Sequence, residues 1–258
     1  MHLYHRAYGQ PSDRPPVVLL HGLFGSSGNW HGIARRLEGQ HRVIVPDLRN
    51  HGRSPHAEAA GYEAMAEDVR GLLEQVSAGP AVLVGHSMGG KVALWLALQH
   101  PDRVDRVAAL DIAPVTYPPR FGEIIQAMAS LDLARLGNRA EADASLAERI
   151  RNPTLRAYLL QNLSLRQGRW HWRINLPTLA RSLPELLDFP RPSPHQQFTG
   201  PALFLYGARS DYVHGRNLAA IRALFPNARL RAVAGAGHWL YSEQPEAVAA
   251  ALLGFLRP

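Results

Sequence analysis

The 258 residues suit one large α/β domain, or a core with an inserted subdomain, and a hydrophobic content of 46% is enough for a sizeable core. The chain has no cysteine, which excludes a disulfide framework, a thiolate metal site and a cysteine nucleophile, and its longest apolar runs are too short to cross a bilayer. The net charge of +7 is carried almost wholly by arginine, since Lys91 is the one lysine among 28 basic residues. It is also uneven: residues 1–114 hold 11 basic and 11 acidic side chains, 115–195 hold 11 against 7, and 196–258 hold 6 against 3.

No nucleic-acid module is recognisable, so nucleic acid is not an expected partner. The arginine excess reads either as a solvated surface or as a positive rim that draws in an anionic substrate such as a coenzyme-A thioester. The chain opens on polar residues with no apolar run of leader length, and the expected location is the cytoplasm without membrane insertion.

Taken in chain order, the polar stretch 2–8 reads as an edge strand. The apolar runs 17–21, 42–47, 81–86, 106–112, 202–207 and 228–234 read as strands, and their continuous apolarity is what burial on both faces requires. Helical patterns fall between them at about 29–38, 62–76, 88–99, 216–225 and 245–256. In the second of these, Met65, Val69, Leu72, Leu73 and Val76 recur at helical spacing as core contacts. This alternation predicts the α/β class, a mostly parallel doubly wound sheet. It breaks between about 115 and 198. The reading is therefore a core of 1–114 and 196–258 with a helical cap, 115–195, over the carboxyl edge of the sheet, where such sheets bind ligands. Trp170 and Trp172 in the cap read either as walls of an acyl pocket or as plain packing.

Gly85-His86-Ser87-Met88-Gly89 matches G-x-S-x-G between a strand and a helix, the setting of a nucleophile elbow. Ser87 is the expected nucleophile. The loop His21-Gly22-Leu23-Phe24-Gly25-Ser26 follows the 17–21 strand, and its glycines let a backbone N–H face the serine. The N–H groups of Leu23 and Met88 are the expected oxyanion hole. Among 13 histidines, His238 stands out, because it follows the last strand through Gly235-Ala236-Gly237 and precedes the final helix. His86 is expected to point away from Ser87, and His21 and His51 to satisfy loop hydrogen bonds. Two carboxylates compete as the acid: Asp111 at the end of the 106–112 strand, and Asp211 one residue beyond the usual aspartate position, which Ser210 occupies.

The stretch Asp47-Leu48-Arg49-Asn50-His51-Gly52-Arg53-Ser54-Pro55, together with G-H-S-M-G-G-K (85–91), L-D-I-A-P-V (110–115), W-R-I-N-L (172–176), S-x-Y-V (210–213) and A-G-H-W (236–239), resembles the YbfF-like branch of the α/β-hydrolases and its mitochondrial relatives. The resemblance implies an esterase or thioesterase with a small helical cap. It also implies a triad of Ser87, His238 and Asp111, with Ser210 as a hydrogen-bond partner of the acid. Such an enzyme takes a small-molecule acyl ester or thioester and needs no cofactor or metal. Haloperoxidase, lactonase and carbon–carbon hydrolase activities share the triad, and a receptor that keeps it without turnover is the reading from another class.

Overall fold

The computed structural model describes residues 1–77 and 79–257. Seven strands form the central sheet: β1 (His5–Tyr8), β2 (Val17–Leu20), β3 (Val43–Pro46), β4 (Ala81–His86), β5 (Val104–Leu110), and, after an inserted stretch described below, Ala202–Gly207 and Ala228–Val233. Helix α1 (His31–Leu37) follows β2, α2 (Tyr62–Val76) follows β3 and α3 (Met88–Gln99) follows β4.

The stretch between β5 and the sixth strand of the sheet holds α4 (Gly122–Ala129), α5 (Arg139–Ala147), α6 (Pro153–Leu160), a hairpin of β6 (Leu163–Arg166) and β7 (Arg169–Trp172), α7 (Leu176–Arg181) and α8 (Leu183–Leu187). The sheet resumes as β8 (Ala202–Gly207). Then come α9 (Leu218–Leu224), β9 (Ala228–Val233), α10 (Leu240–Glu243) and α11 (Pro245–Phe255).

Strand order is β1-β3-β2-β4-β5-β8-β9, parallel throughout except for β1, which pairs antiparallel with β3 at one edge. The interior strands are apolar on both faces because both are covered. Val18 and Leu20 of β2 face a core built with Met65 and Val69 of α2 and Leu94 of α3. Val17 and Leu19 face the opposite core, which includes Ile33 of α1 and Val248 and Leu252 of α11. Each Val or Leu side chain buried this way contributes about 1.5–3 kcal/mol. The edge strands β1 and β9 are partly exposed, and their sequences are correspondingly polar.

Two expectations need correction. The strand expected at 106–112 runs from Val104 to Leu110. It stops there because Asp111 adopts φ 52°, a left-handed backbone that cannot continue a ladder. The inserted stretch, expected to be helical, also carries the β6–β7 hairpin. Its two-residue turn, Gln167-Gly168, has φ 48° and 72°, the primed geometry that suits the twist of a hairpin.

Candidate active site

Because the strands other than β1 run parallel, the loops that follow them gather at one edge. Ser87 lies in the turn from β4 to α3 at φ 51° and ψ −120°, a backbone that costs on the order of 1–3 kcal/mol and is held by its surroundings. Its N–H donates to Leu110 O at 3.0 Å, and its carbonyl accepts from Lys91 N at 3.1 Å, the first bond of the helix. The turn is so tight that a side chain at position 85 would strike the Gly89 carbonyl, and one at 89 would strike the carbonyls of Leu20 and His21. These glycines are there for close approach, since neither has positive φ. His86 and Met88 are buried, while Ser87 between them is partly open.

Asp111 leaves the end of the neighbouring strand and is fully buried. Its Oδ2 accepts from His238 Nδ1 at 2.7 Å and from the Ser210 hydroxyl, and its Oδ1 accepts from Gly207 N at 3.1 Å. A carboxylate with three donors is satisfied without water and fixes the imidazole with Nδ1 protonated, leaving Nε2 as the free acceptor. Ser87, Asp111, Ser210 and His238 are thus gathered at this edge. That bond is the only side-chain hydrogen bond of His238 among the described residues, so none yet joins it to Ser87. Asp211 is not part of the group. It turns outward to bind Arg120 through both oxygens at 2.9 and 2.7 Å.

His86 does more than avoid Ser87. Its Nε2 donates to the His238 carbonyl at 2.8 Å, and the two rings lie 4.6 Å apart. Burial, with His238 adding to it, holds the His86 imidazole well below its ordinary value, so it is neutral. Spacing alone could not have revealed this contact across 152 residues.

His21 and His51 lock the loop after β2. His21 Nδ1 donates to Gly22 O at 2.9 Å while Nε2 accepts from Leu48 N at 2.9 Å. His51 Nδ1 donates to Arg49 O at 2.9 Å while Nε2 accepts from Phe24 N at 3.3 Å. Both rings are therefore neutral with the proton on Nδ1. Burial pushes His51 down to about 3 and lowers His21 as well. Phe24 sits at φ 63°, and Gly22 lies against Ser87. Among the described residues, the N–H groups of Leu23 and Met88 donate to no other backbone group outside a helix ladder.

A cavity opens beside Ser87, walled by Leu23, Ile112, Phe121 and Leu186, with Lys91, Arg120 and Tyr212 also on its lining. The Lys91 ammonium donates to the carbonyls of Leu187 and Asp188 at 2.9 and 2.6 Å and lies 4.9 Å from the centre of the Tyr117 ring. Burial lowers it to about 7 against the opposing pull of Asp188. Trp170 and Trp172 do not line this cavity and instead pack against the hydrophobic core. Among the described residues, no cluster of histidines and carboxylates could hold a metal ion, and no helix is long and apolar enough to cross a membrane.

A family model described as alpha/beta hydrolase fold matches residues 15–245. The chain is 42% identical over 250 residues to the sn-1-specific diacylglycerol lipase ABHD11 of Mus musculus, covering 94% of this chain and 81% of the relative. It is 37% identical over 245 residues to esterase YbfF of Escherichia coli (strain K12), covering 95% and 94%. A solved structure of a marine microorganism esterase superposes with a TM-score of 0.95 at 36% identity, covering 98% of this chain and 99% of that one.

Proposed function

The chain belongs to the α/β-hydrolase family and is a carboxylic ester hydrolase, and from that premise we propose that it cleaves acyl esters or thioesters through an acyl-enzyme on Ser87. The observation that carries this reading is the 2.7 Å bond from His238 to buried Asp111 at the same sheet edge as a serine in a strained elbow.

In the proposed reaction, His238 Nε2 takes the Ser87 proton as Oγ attacks the substrate carbonyl. Asp111 keeps the imidazole in the required tautomer and stabilises its positive form. The negative charge that develops on the carbonyl oxygen is held by the N–H groups of Leu23 and Met88, and losing one such donor typically costs about 10²–10³ in turnover. The imidazolium returns its proton to the leaving alcohol or thiol. Water, deprotonated by the same imidazole, then attacks the acyl-enzyme carbonyl, and the imidazolium returns that proton to Ser87 Oγ as the bond to the acyl group breaks and the acid leaves. The Ser87–His238 bond closes when substrate is bound, because catalytic hydrogen bonds often tighten only in the complex. In this reading residues 115–195 act as a cap over the site, and the cavity beside Ser87 takes the acyl group.

The test is the intact mass after incubation with a fluorophosphonate, alongside turnover of a p-nitrophenyl ester, for wild type and Ser87→Ala. One adduct and steady turnover in wild type, with neither in Ser87→Ala, is the expected outcome. A wild type that takes no adduct would overturn Ser87 as the nucleophile.

A further inference from the structure

The Tyr212 ring lies flat on the His238 imidazole, with centroids 3.8 Å apart and planes 17° from parallel. The bond from His238 Nδ1 to Asp111 fixes one line through the imidazole but leaves the ring free to swing about it. Such a swing would carry Nε2 away from Ser87. A second ring laid on the imidazole face removes that freedom.

Tyr212 is itself held from several directions. Its N–H donates to Ser210 Oγ at 3.3 Å and its carbonyl accepts from the Tyr117 hydroxyl at 2.9 Å. The Arg120 guanidinium lies 4.9 Å from the centre of its ring, and Arg120 is locked by its two bonds to Asp211. Tyr117 and Arg120 both come from the start of the inserted stretch. An exposed ion pair of this kind contributes little stability, so its geometry matters more than its energy.

We propose that Tyr212 is a positioning residue for His238, held in place by the Arg120–Asp211 pair, so that the order of the imidazole depends on the seating of the inserted stretch. This rests on the reading of Ser87 and His238 as the reacting pair, and it gives Asp211 a role. The stack also suits the imidazolium formed during turnover, because an aromatic face attracts a cation laid on it. The other titratable or charged groups facing this assembly are Asp111, His86, Tyr117, Arg120, Asp211 and, beside Asp211, His214.

The experiment measures kcat, KM and the pH profile of kcat/KM on a p-nitrophenyl ester, with fluorophosphonate labelling as a control, in wild type, Tyr212→Phe, Tyr212→Leu and Arg120→Gln. Tyr212→Leu should lower kcat about tenfold or more with KM within about threefold, and move the acid limb of kcat/KM to lower pH. Tyr212→Phe keeps the ring and should stay within about twofold of wild type, and Arg120→Gln should fall between the two. A Tyr212→Leu enzyme with wild-type kcat and an unmoved acid limb would overturn the proposal, as would equal losses in Phe and Leu. Should the leucine variant not fold, Arg120→Gln decides: an unchanged kcat overturns the proposal and a loss of about three- to tenfold supports it. If the wild type itself takes no adduct at Ser87, the reaction proposed above fails instead, and the labelling control shows which has failed.

Discussion

The hydroxyl of Tyr158 donates to the Leu23 carbonyl over 2.9 Å and so ties α6 to the loop that carries the proposed oxyanion donor. The next carbonyl, that of Phe24, accepts from Asn162 Nδ2 at 2.7 Å and from Gln161 Nε2 at 3.3 Å. Three side chains of the inserted stretch therefore grip two consecutive carbonyls, the second belonging to a residue at positive φ. A backbone donor stabilises a developing oxyanion only if it is already aimed when charge appears.

From this, Tyr158→Phe should lower kcat about three- to tenfold while KM stays within about twofold. The phenyl ring keeps its packing against Trp239, whose ring centre is 5.8 Å away. Only one hydrogen bond is lost, so stability should fall by about 0.5–1.5 kcal/mol. Steady-state kinetics with a thermal melt checks both, and an unchanged kcat would show that this tie does not aim the loop.

The two carboxylates that competed in the sequence should separate by turnover. Asp111→Asn should lower kcat by about 10³–10⁴, because an amide in that buried place can donate to Nδ1 and stabilise the wrong tautomer. Asp211→Asn, whose carboxylate reaches Arg120 and not the imidazole, should cost less than about tenfold. Parallel assays of the two variants decide the matter, and the larger loss in Asp211→Asn would move the acid to the loop after β8.

The sheet was legible because parallel strands buried on both faces leave continuous apolar runs, and β4 and β8 fall where those runs lie. The place of Ser87 in a tight strand-to-helix turn was legible because such a turn demands glycines at fixed offsets, and the loop position of His238 because three small residues lead into it from the last strand. The hairpin at 163–172 was not, since LSLR and RWHW are only four residues each and their turn is Gln-Gly rather than Asn-Gly. The end of β5 was misjudged because Ile112 and Ala113 resume the apolar run past Asp111, while the backbone at 111 turns left-handed. The stack of Tyr212 on His238, the Arg120–Asp211 pair and the His86 contact join residues far apart in sequence. They follow from strand order, which no local pattern encodes.

The neutral state of His51 predicts a pH dependence of stability. Its folded value, lowered by burial to about 3, lies below the ordinary value of 6.5, so the unfolded chain binds the extra proton first as pH falls. Its contribution is therefore intact above about pH 6.5 and is lost progressively as pH falls toward about 3, by up to about 1.4 kcal/mol per pH unit. Protonating Nε2 would also cost the bond from Phe24 N. Denaturant unfolding between pH 7 and 4 should show a slope shallower by about one proton in His51→Asn than in wild type. Equal slopes would assign the acid sensitivity to other groups.

The arginines of the inserted stretch allow a test of substrate steering. Arg149, Arg151, Arg166, Arg169 and Arg173 are exposed, and among the described residues none has a carboxylate within ion-pair distance. Charges left unpaired on one segment create a field that reaches about 10 Å at 0.1 M salt and shrinks to about 3 Å at 1 M. If that field steers the substrate, kcat/KM for an acyl-coenzyme-A thioester should fall about tenfold or more between those concentrations, because steering raises association rates by roughly 10–10³. A neutral p-nitrophenyl ester feels no such attraction and should change less than about twofold over the same range. Reversing two of these arginines, as in Arg166→Glu with Arg169→Glu, should flatten the thioester's salt response and leave the neutral ester untouched. Equal salt responses for the two substrates would instead mean that the arginines only keep the surface solvated.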